Sequence, residues 1–452
     1  MAALMLGTSL IAGLAACTDT DPVTPEPTPT PTPTVVVDLS VGVFGTPGEL
    51  DAYRDVIEDY DARTDEVNVE LETYGSQDAL LAALKVGEVP DVFMVDRSDL
   101  SYLLEAKLTQ PLGERLDERN VDFGDDYSRA ALEAFSVDRK LQCMPYGISP
   151  MVVYYNKALV DFDRMRLREL NVPNLDPDSR LRWSFEQFRV AAEFATRPRR
   201  DSKGFFVPPT LQGITPFLIS GGGSVFDNEV EPTSLAFSSD GSRSALATVL
   251  PVLRDPGLTL TSAQLEERSA VAWFERDKLG MIVADRSLTA RLRKVPALDF
   301  GVMPMPTLNE TATVGQITGM CISADTPEVA ESADLLVDFV STEAVQRVVP
   351  VGNLVPANQT VALTDDFLQP TRLPERADVF NEGVSKLYIP PLVEDEMAIT
   401  DIANAGIRDL LQVEIPDIEA LTEQIDEASR AILLPFDPEP TSTASPSASP
   451  SG

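Results

Sequence analysis

From Val35 to Phe44 apolar and polar residues alternate, with Val37, Leu39, Val41 and Val43 on one side and Asp38, Ser40 and Gly42 on the other. A period of two predicts a strand with one face buried. Thr46-Pro47-Gly48-Glu49 follows. It offers an N-cap, a proline at the first helical position and a glutamate three residues after the cap, which together open a helix. Leu50, Tyr53, Val56, Ile57 and Tyr60 then recur at helical spacing. Val67, Val69 and Leu71 alternate as a second strand. Ser76 caps a helix carrying Leu80, Leu81 and Leu84, which Gly87 can end. Val92-Phe93-Met94-Val95 reads as a short buried strand ending in Asp96. The order β-α-β-α-β predicts an open α/β layer.

In such sheets ligands sit beyond the carboxyl ends of the strands. Here those ends are Phe44-Gly45-Thr46, Tyr74-Gly75-Ser76-Gln77 and Asp96-Arg97. Aromatic faces suit the C–H side of a polyhydroxylated ligand, and amides or carboxylates suit its hydroxyls. Candidate ligand-binding residues of these types, at the strand ends and further along the chain, are Phe44, Tyr74, Gln77, Asp96, Tyr146, Phe226, Trp273, Asp285 and Arg286. Each aromatic also has a plain reading as core. Trp273, in Ala270-Val271-Ala272-Trp273-Phe274, fits a buried helix face as well as a binding surface.

Length changes the picture by requiring more than one core: 452 residues exceed what a single core usually serves. A formal charge of −36 repels a phosphate backbone, so nucleic acid is not an expected partner. The absence of histidine removes Ser-His-Asp and Cys-His chemistry and every His-ligated metal site. Carboxylate or lysine acid–base chemistry stays open. No cofactor is expected.

Residues 4–16 are an apolar run ending in small residues, the layout of an export signal, although no Lys or Arg precedes it. Leu14-Ala15-Ala16-Cys17 resembles the bacterial lipobox, which implies diacylation of Cys17 and a membrane anchor. Residues 18–34 follow as a linker; the alternating Pro and Thr of 21–34 favour extended polyproline II. Residues 437–452 form a second Pro/Ser-rich stretch with too few apolar groups to pack. Nothing downstream of the signal reaches the ~18 apolar residues of a membrane helix.

Five segments, in order, resemble the family 1 extracellular solute-binding proteins, the maltose-binding-protein-like receptors of sugar importers. They are Leu84-Lys85-Val86-Gly87-Glu88-Val89-Pro90-Asp91-Val92; Pro145-Tyr146-Gly147-Ile148-Ser149-Pro150 with Val152 to Lys157; Trp183-Ser184-Phe185-Glu186-Gln187-Phe188; Gly280 to Val283 with Phe300 to Pro306; and Gly319 to Ser323 with Gly352 to Asn358. The resemblance implies an α/β, two-lobed periplasmic-binding-protein-like fold, with each lobe an open sheet flanked by helices. It places 35–143 and 325–370 in lobe one, and 144–324 and 371–436 in lobe two. It implies a monomer on the outer face of the bacterial membrane that captures a small solute, a sugar or oligosaccharide, for the permease of an ABC importer. Related receptors often carry a tryptophan where this chain has Asp285-Arg286, which leaves room for a charged or amide-rich ligand. The family's two crossing strands run side by side in the hinge, so Cys143 and Cys321 are implied as a disulfide stapling the hinge. Two independent buried thiols are the alternative. Two rival functions remain: a carboxylate-dependent glycosidase, and a ligand-sensing lipoprotein that signals instead of feeding a transporter.

Overall fold

The computed structural model describes residues 36–121, 126–176, 179–413 and 416–434. Cys17, the export signal, the linker and the C-terminal stretch lie outside the described residues. Twelve strands occur among them: β1 (Val37–Phe44), β2 (Val67–Tyr74), β3 (Val92–Asp96), β4 (Ser136–Val137), β5 (Lys140–Leu141), β6 (Met144–Pro150), β7 (Val152–Asn156), β8 (Lys203–Phe206), β9 (Leu279–Ala284), β10 (Phe300–Met303), β11 (Gly315–Ile322) and β12 (Val355–Pro356).

Six strands form the larger sheet, in the order β12-β6-β11-β3-β1-β2. β1 runs parallel to β2 and β3, with Phe44 opposite Tyr74, so the carboxyl ends of all three share one edge. β11 lies antiparallel between β3 and β6. A four-stranded sheet, β10-β7-β9-β8, forms the second lobe's core. β3 is buried along its whole length, as a continuous apolar run in the middle of a sheet should be.

The local signals explain the elements. The Glu49 carboxylate accepts from both the backbone N–H and the hydroxyl of Thr46, at 2.8 Å each, and opens the helix Pro47–Asp61. Tyr53, Val56, Ile57 and Tyr60 form its buried face. Ser76 Oγ accepts from Ala79 N at 3.2 Å, and Gly87, at φ +89°, lets the chain turn out of the helix Gln77–Lys85. After that turn, Asp91 ties three segments together. Its Oδ2 accepts from Ser40 N and Oγ at 2.8 Å each, and its Oδ1 accepts from Thr326 Oγ1 at 2.6 Å.

β6 and β11 pair within the larger sheet, so 144 and 325 are not where the lobes divide. The physical reason is that β3, apolar on both faces, needs a ladder partner on its open side, and β11 supplies it. The chain passes to the smaller sheet between Pro150 and Val152. There three passing segments are laced together. Met151 N donates to Val314 O (2.8 Å) and Thr313 Oγ1 donates to Met151 O (2.7 Å). Thr313 N donates to Lys386 O (3.0 Å) and Tyr388 N donates to Thr313 O (2.8 Å). These contacts form the hinge.

Cys143 and Cys321 are joined by a disulfide. It does not sit at the hinge. It closes the larger sheet at the end of β6 remote from the crossing, beside Phe93 of β3. The C-terminal helices Glu396–Gln412 and Ile418–Leu433 pack on the second lobe. The buried Asp426 carboxylate fixes them there by accepting from Phe237 N and Ser238 N at 2.8 Å each.

Candidate ligand-binding cleft

The shared carboxyl edge of β1, β2 and β3 opens between the lobes into two cavities. One, of about 770 Å³, is bordered by Phe44, Glu49, Tyr53, Gln77 and Asn353 of the first lobe and Ser287 of the second. The other, of about 360 Å³, is bordered by Asp96, Arg97 and Ser98 of the first lobe, and by Thr210, Gln212, Thr215, Phe226, Glu396 and Asn404 of the second. Gln316, on β11, borders both.

Local structure presents these groups firmly. Asp96 Oδ1 accepts from Ser98 N (3.0 Å) and Ser98 Oγ (2.8 Å), which turns the chain at the end of β3. Arg97 Nη2 reaches across and donates to Pro390 O at 2.9 Å. Gln77 Nε2 donates to Asp99 Oδ2 at 2.8 Å. In the second lobe Thr210 caps the helix Leu211–Ser220, and Leu211 N donates to Asn404 Oδ1 at 2.7 Å.

Burial sets the electrostatics. It pushes the Glu396 carboxyl up to about 7, against the pull of Arg97 and with the help of Asp96 and Asp99. It lifts Asp99 to about 6, although the Gln77 amide counteracts this. Asp96 is also raised by burial, and the Ser98 donors and Arg97 oppose the shift. Burial lowers the Arg97 guanidinium, while Glu396 and Asp96 support its charge. Hydroxyls, amides, carboxylates and one guanidinium thus line the two cavities beside apolar walls, an arrangement suited to holding and orienting a small polar molecule.

The residues expected from sequence divide into two groups. Phe44, Gln77, Asp96 and Phe226 border the cleft. Tyr74 borders neither cavity; it donates its hydroxyl to Glu72 at 2.8 Å. Asp285 also stays outside, but its Oδ1 accepts from Ser287 N at 2.8 Å and shapes the turn that delivers Ser287 to the cleft. Three residues require correction. Tyr146 is core, packed on Tyr53 (5.9 Å) and Phe339 (5.4 Å) because its strand lies inside the larger sheet. Trp273 is 4% exposed and donates Nε1–H to Gln264 O at 3.1 Å, so it packs the second lobe. Arg286 is 1% exposed, lies 3.9 Å over the Phe367 ring and donates to Phe367 O at 3.0 Å. Aromatic stacking offsets part of the cost of its burial, and its charge is unavailable to the cleft.

The family described as bacterial extracellular solute-binding protein matches residues 55–375. The chain belongs to that family. This solute-binding protein is 22% identical over 265 residues to a maltotriose-binding protein of Pyrococcus abyssi, a match covering 58% of this chain and 51% of the relative. The chain thus spans about half the length of that curated relative. In fold it resembles an ABC substrate-binding protein of Listeria monocytogenes solved with cycloalternan, with TM-score 0.73, 18% identity and coverage of 88% and 99% of the two chains. It is equally similar to the cyclic α-maltosyl-1,6-maltose-binding protein of Arthrobacter globiformis, with TM-score 0.73, 16% identity and coverage of 88% and 99%. Among the described residues of the solute-binding protein, no helix is long and apolar enough to cross a membrane.

Several cleft residues escaped the sequence reading. Glu396 stands in Glu394-Asp395-Glu396, where nothing separates it from a solvated acidic surface. Ser149 and Gln316 lie on strands that looked like plain crossings. Asn353 was legible in principle, since it follows Gly352, whose φ of +92° turns the chain toward the cleft; Asn353 Nδ2 donates to Thr46 Oγ1 at 2.7 Å.

Proposed function

We propose that this solute-binding protein captures a saccharide between its lobes and delivers it to the permease of an ATP-driven importer. In this reading it works as a monomer on the outer face of the membrane, held there by a lipid on Cys17, and releases its ligand chemically unchanged. The observation that carries the reading is the cleft itself. Phe226 offers an apolar wall, and Asp96, Gln212, Gln316 and Asn404 supply carboxylate and amide groups from both lobes around it. That combination serves a ring with one apolar face and a rim of hydroxyls. The names of the relatives, which bind maltotriose, cycloalternan and cyclic maltosyl-maltose, support the saccharide class. A ligand touching both lobes favours the closed state of the laced hinge.

Titration calorimetry with maltotriose and a panel of other oligosaccharides tests the proposal. Saturable binding of at least one saccharide is expected, with the same sugar recovered intact by chromatography after prolonged incubation. A panel without a binder, or a ligand recovered cleaved, would overturn it.

A further inference from the structure

The saccharide reading leaves open which class of saccharide the cleft takes, and the charges that border it bear on this. Among the described residues around the two cavities, Glu49, Asp78, Asp96 and Glu396 are carboxylates, and Arg97 is the cation. Arg97 donates through Nη2 to Pro390 O, and its buried Nε has no partner among the described residues. Glu49, whose Oε2 accepts from Thr46, borders the larger cavity, where no carboxylate of the second lobe faces it among the described residues. Asp96 and Glu396 retain free acceptors. Asp96 is 6% exposed and accepts both Ser98 donors through Oδ1, while Oδ2 accepts from no described residue. Neither oxygen of Glu396 takes a hydrogen bond or an ion pair from a described residue, although burial makes its ionised form costly. Asp96 belongs to the first lobe and Glu396 to the second, and both border the 360 Å³ cavity. The charged groups acting on Glu396 are Arg97, Asp96 and Asp99.

A sugar hydroxyl gives such an oxygen one hydrogen and adds no charge, leaving Arg97 as the single cation shared by the two carboxylates. An ammonium gives three hydrogens and cancels a charge. Inside a half-buried cleft that difference is larger than in water. We propose that the ligand is an amine-bearing saccharide whose ammonium group sits between Asp96 and Glu396. The inference rests on the saccharide reading and deepens it. Because the two carboxylates come from opposite lobes, the same ammonium draws the lobes together. The charge of −36 on the whole chain raises the local concentration of cationic solutes.

Calorimetry at pH 7 tests this with the glucosamine trimer and 6-amino-6-deoxymaltotriose, each beside its N-acetylated form, and with maltotriose. N-acetylation removes the charge and keeps the sugar. At least one amine is expected to bind roughly tenfold or more tightly than its N-acetylated partner, a difference within the reach of a charge-assisted hydrogen bond. The preference should shrink in Glu396→Gln, whose fold is checked by circular dichroism. Neutral sugars binding as tightly as the amines would overturn the inference and leave the saccharide reading standing. Failure of every saccharide to bind would overturn both.

Discussion

Cys143, immediately before β6, lies across from Cys321 on the neighbouring strand β11 of the same lobe, with 4.3 Å between their Cα atoms. The bridge closes a chain segment of 178 residues that includes most of the other lobe, yet it touches neither the hinge nor the cleft. Cross-linking so long a segment restricts the unfolded chain, and losing such a bridge typically costs about 2–5 kcal/mol. The double variant Cys143→Ser, Cys321→Ser is expected to show that loss in denaturant unfolding while retaining ligand affinity. A parallel loss of affinity would mean that the bridge acts on the cleft after all.

Asp91 is expected to matter for stability and not for binding. It holds β1, the start of β3 and the segment after β11 together through Ser40 and Thr326, on the side of the sheet away from the cleft. Replacing it by alanine leaves those donors without their charged acceptor, at a cost of about 2–4 kcal/mol. Urea midpoints of Asp91→Ala and Asp91→Asn check this, with asparagine recovering part of the loss. Equal midpoints for wild type and Asp91→Ala would refute the tie.

The cleft candidates Asp96 and Phe226 separate from the core residue Trp273. Asp96→Ala is expected to weaken binding of the proposed saccharide ligand by about 1–3 kcal/mol, the range for a charged hydrogen bond left unmade. Phe226→Ala is expected to weaken it comparably, through the lost apolar wall. Trp273→Phe should leave affinity unchanged and lower the melting temperature, since it removes the Gln264 hydrogen bond inside the second lobe. Calorimetry and thermal unfolding on the same preparations decide; unchanged affinity in both cleft variants would relocate the site.

Stability should fall as pH rises from mildly acid to neutral. Burial lifts Glu396 from 4.5 to about 7 and Asp99 from 3.8 to about 6 in the folded protein. Both groups hold protons more tightly folded than unfolded. Their contribution is therefore complete below the unfolded values and is lost as pH rises through the folded ones, between about 4 and 7. Repulsion among the chain's many carboxylates pushes the same way, so the comparison that isolates Glu396 is between wild type and Glu396→Gln. Unfolding midpoints from pH 4 to pH 8 should decline less steeply in the variant. Parallel profiles would remove Glu396 as a source.

Cys17→Ser is expected to leave an unprocessed precursor or to release the protein into the medium, as judged by cell fractionation and mass. Normal processing with full membrane retention would exclude acylation at Cys17.

The elements that depend on neighbours in sequence were readable. Thr46 and Glu49 mark a helix start, Gly87 a helix end and Val92 to Val95 a buried strand, because each signal works within a few residues. What depends on distant partners was not. The share of β6 and β11 in the larger sheet is fixed by β3, more than 200 residues from β11 along the chain. Arg286 read as a cleft charge because its shielding rings, Phe367 and Phe380, come from another segment. Glu396 was hidden for the converse reason: its acidic neighbours look like solvated surface, and only the fold turns it inward.

Gln316 touches both cavities from a strand that is also part of the hinge region. Its amide therefore marks the boundary between the two compartments. Under the proposed saccharide capture, a ligand lying across that boundary passes over Gln316 and one confined to a single compartment does not, so the strand that meets the longer ligand is also the one that runs to the crossing between the lobes.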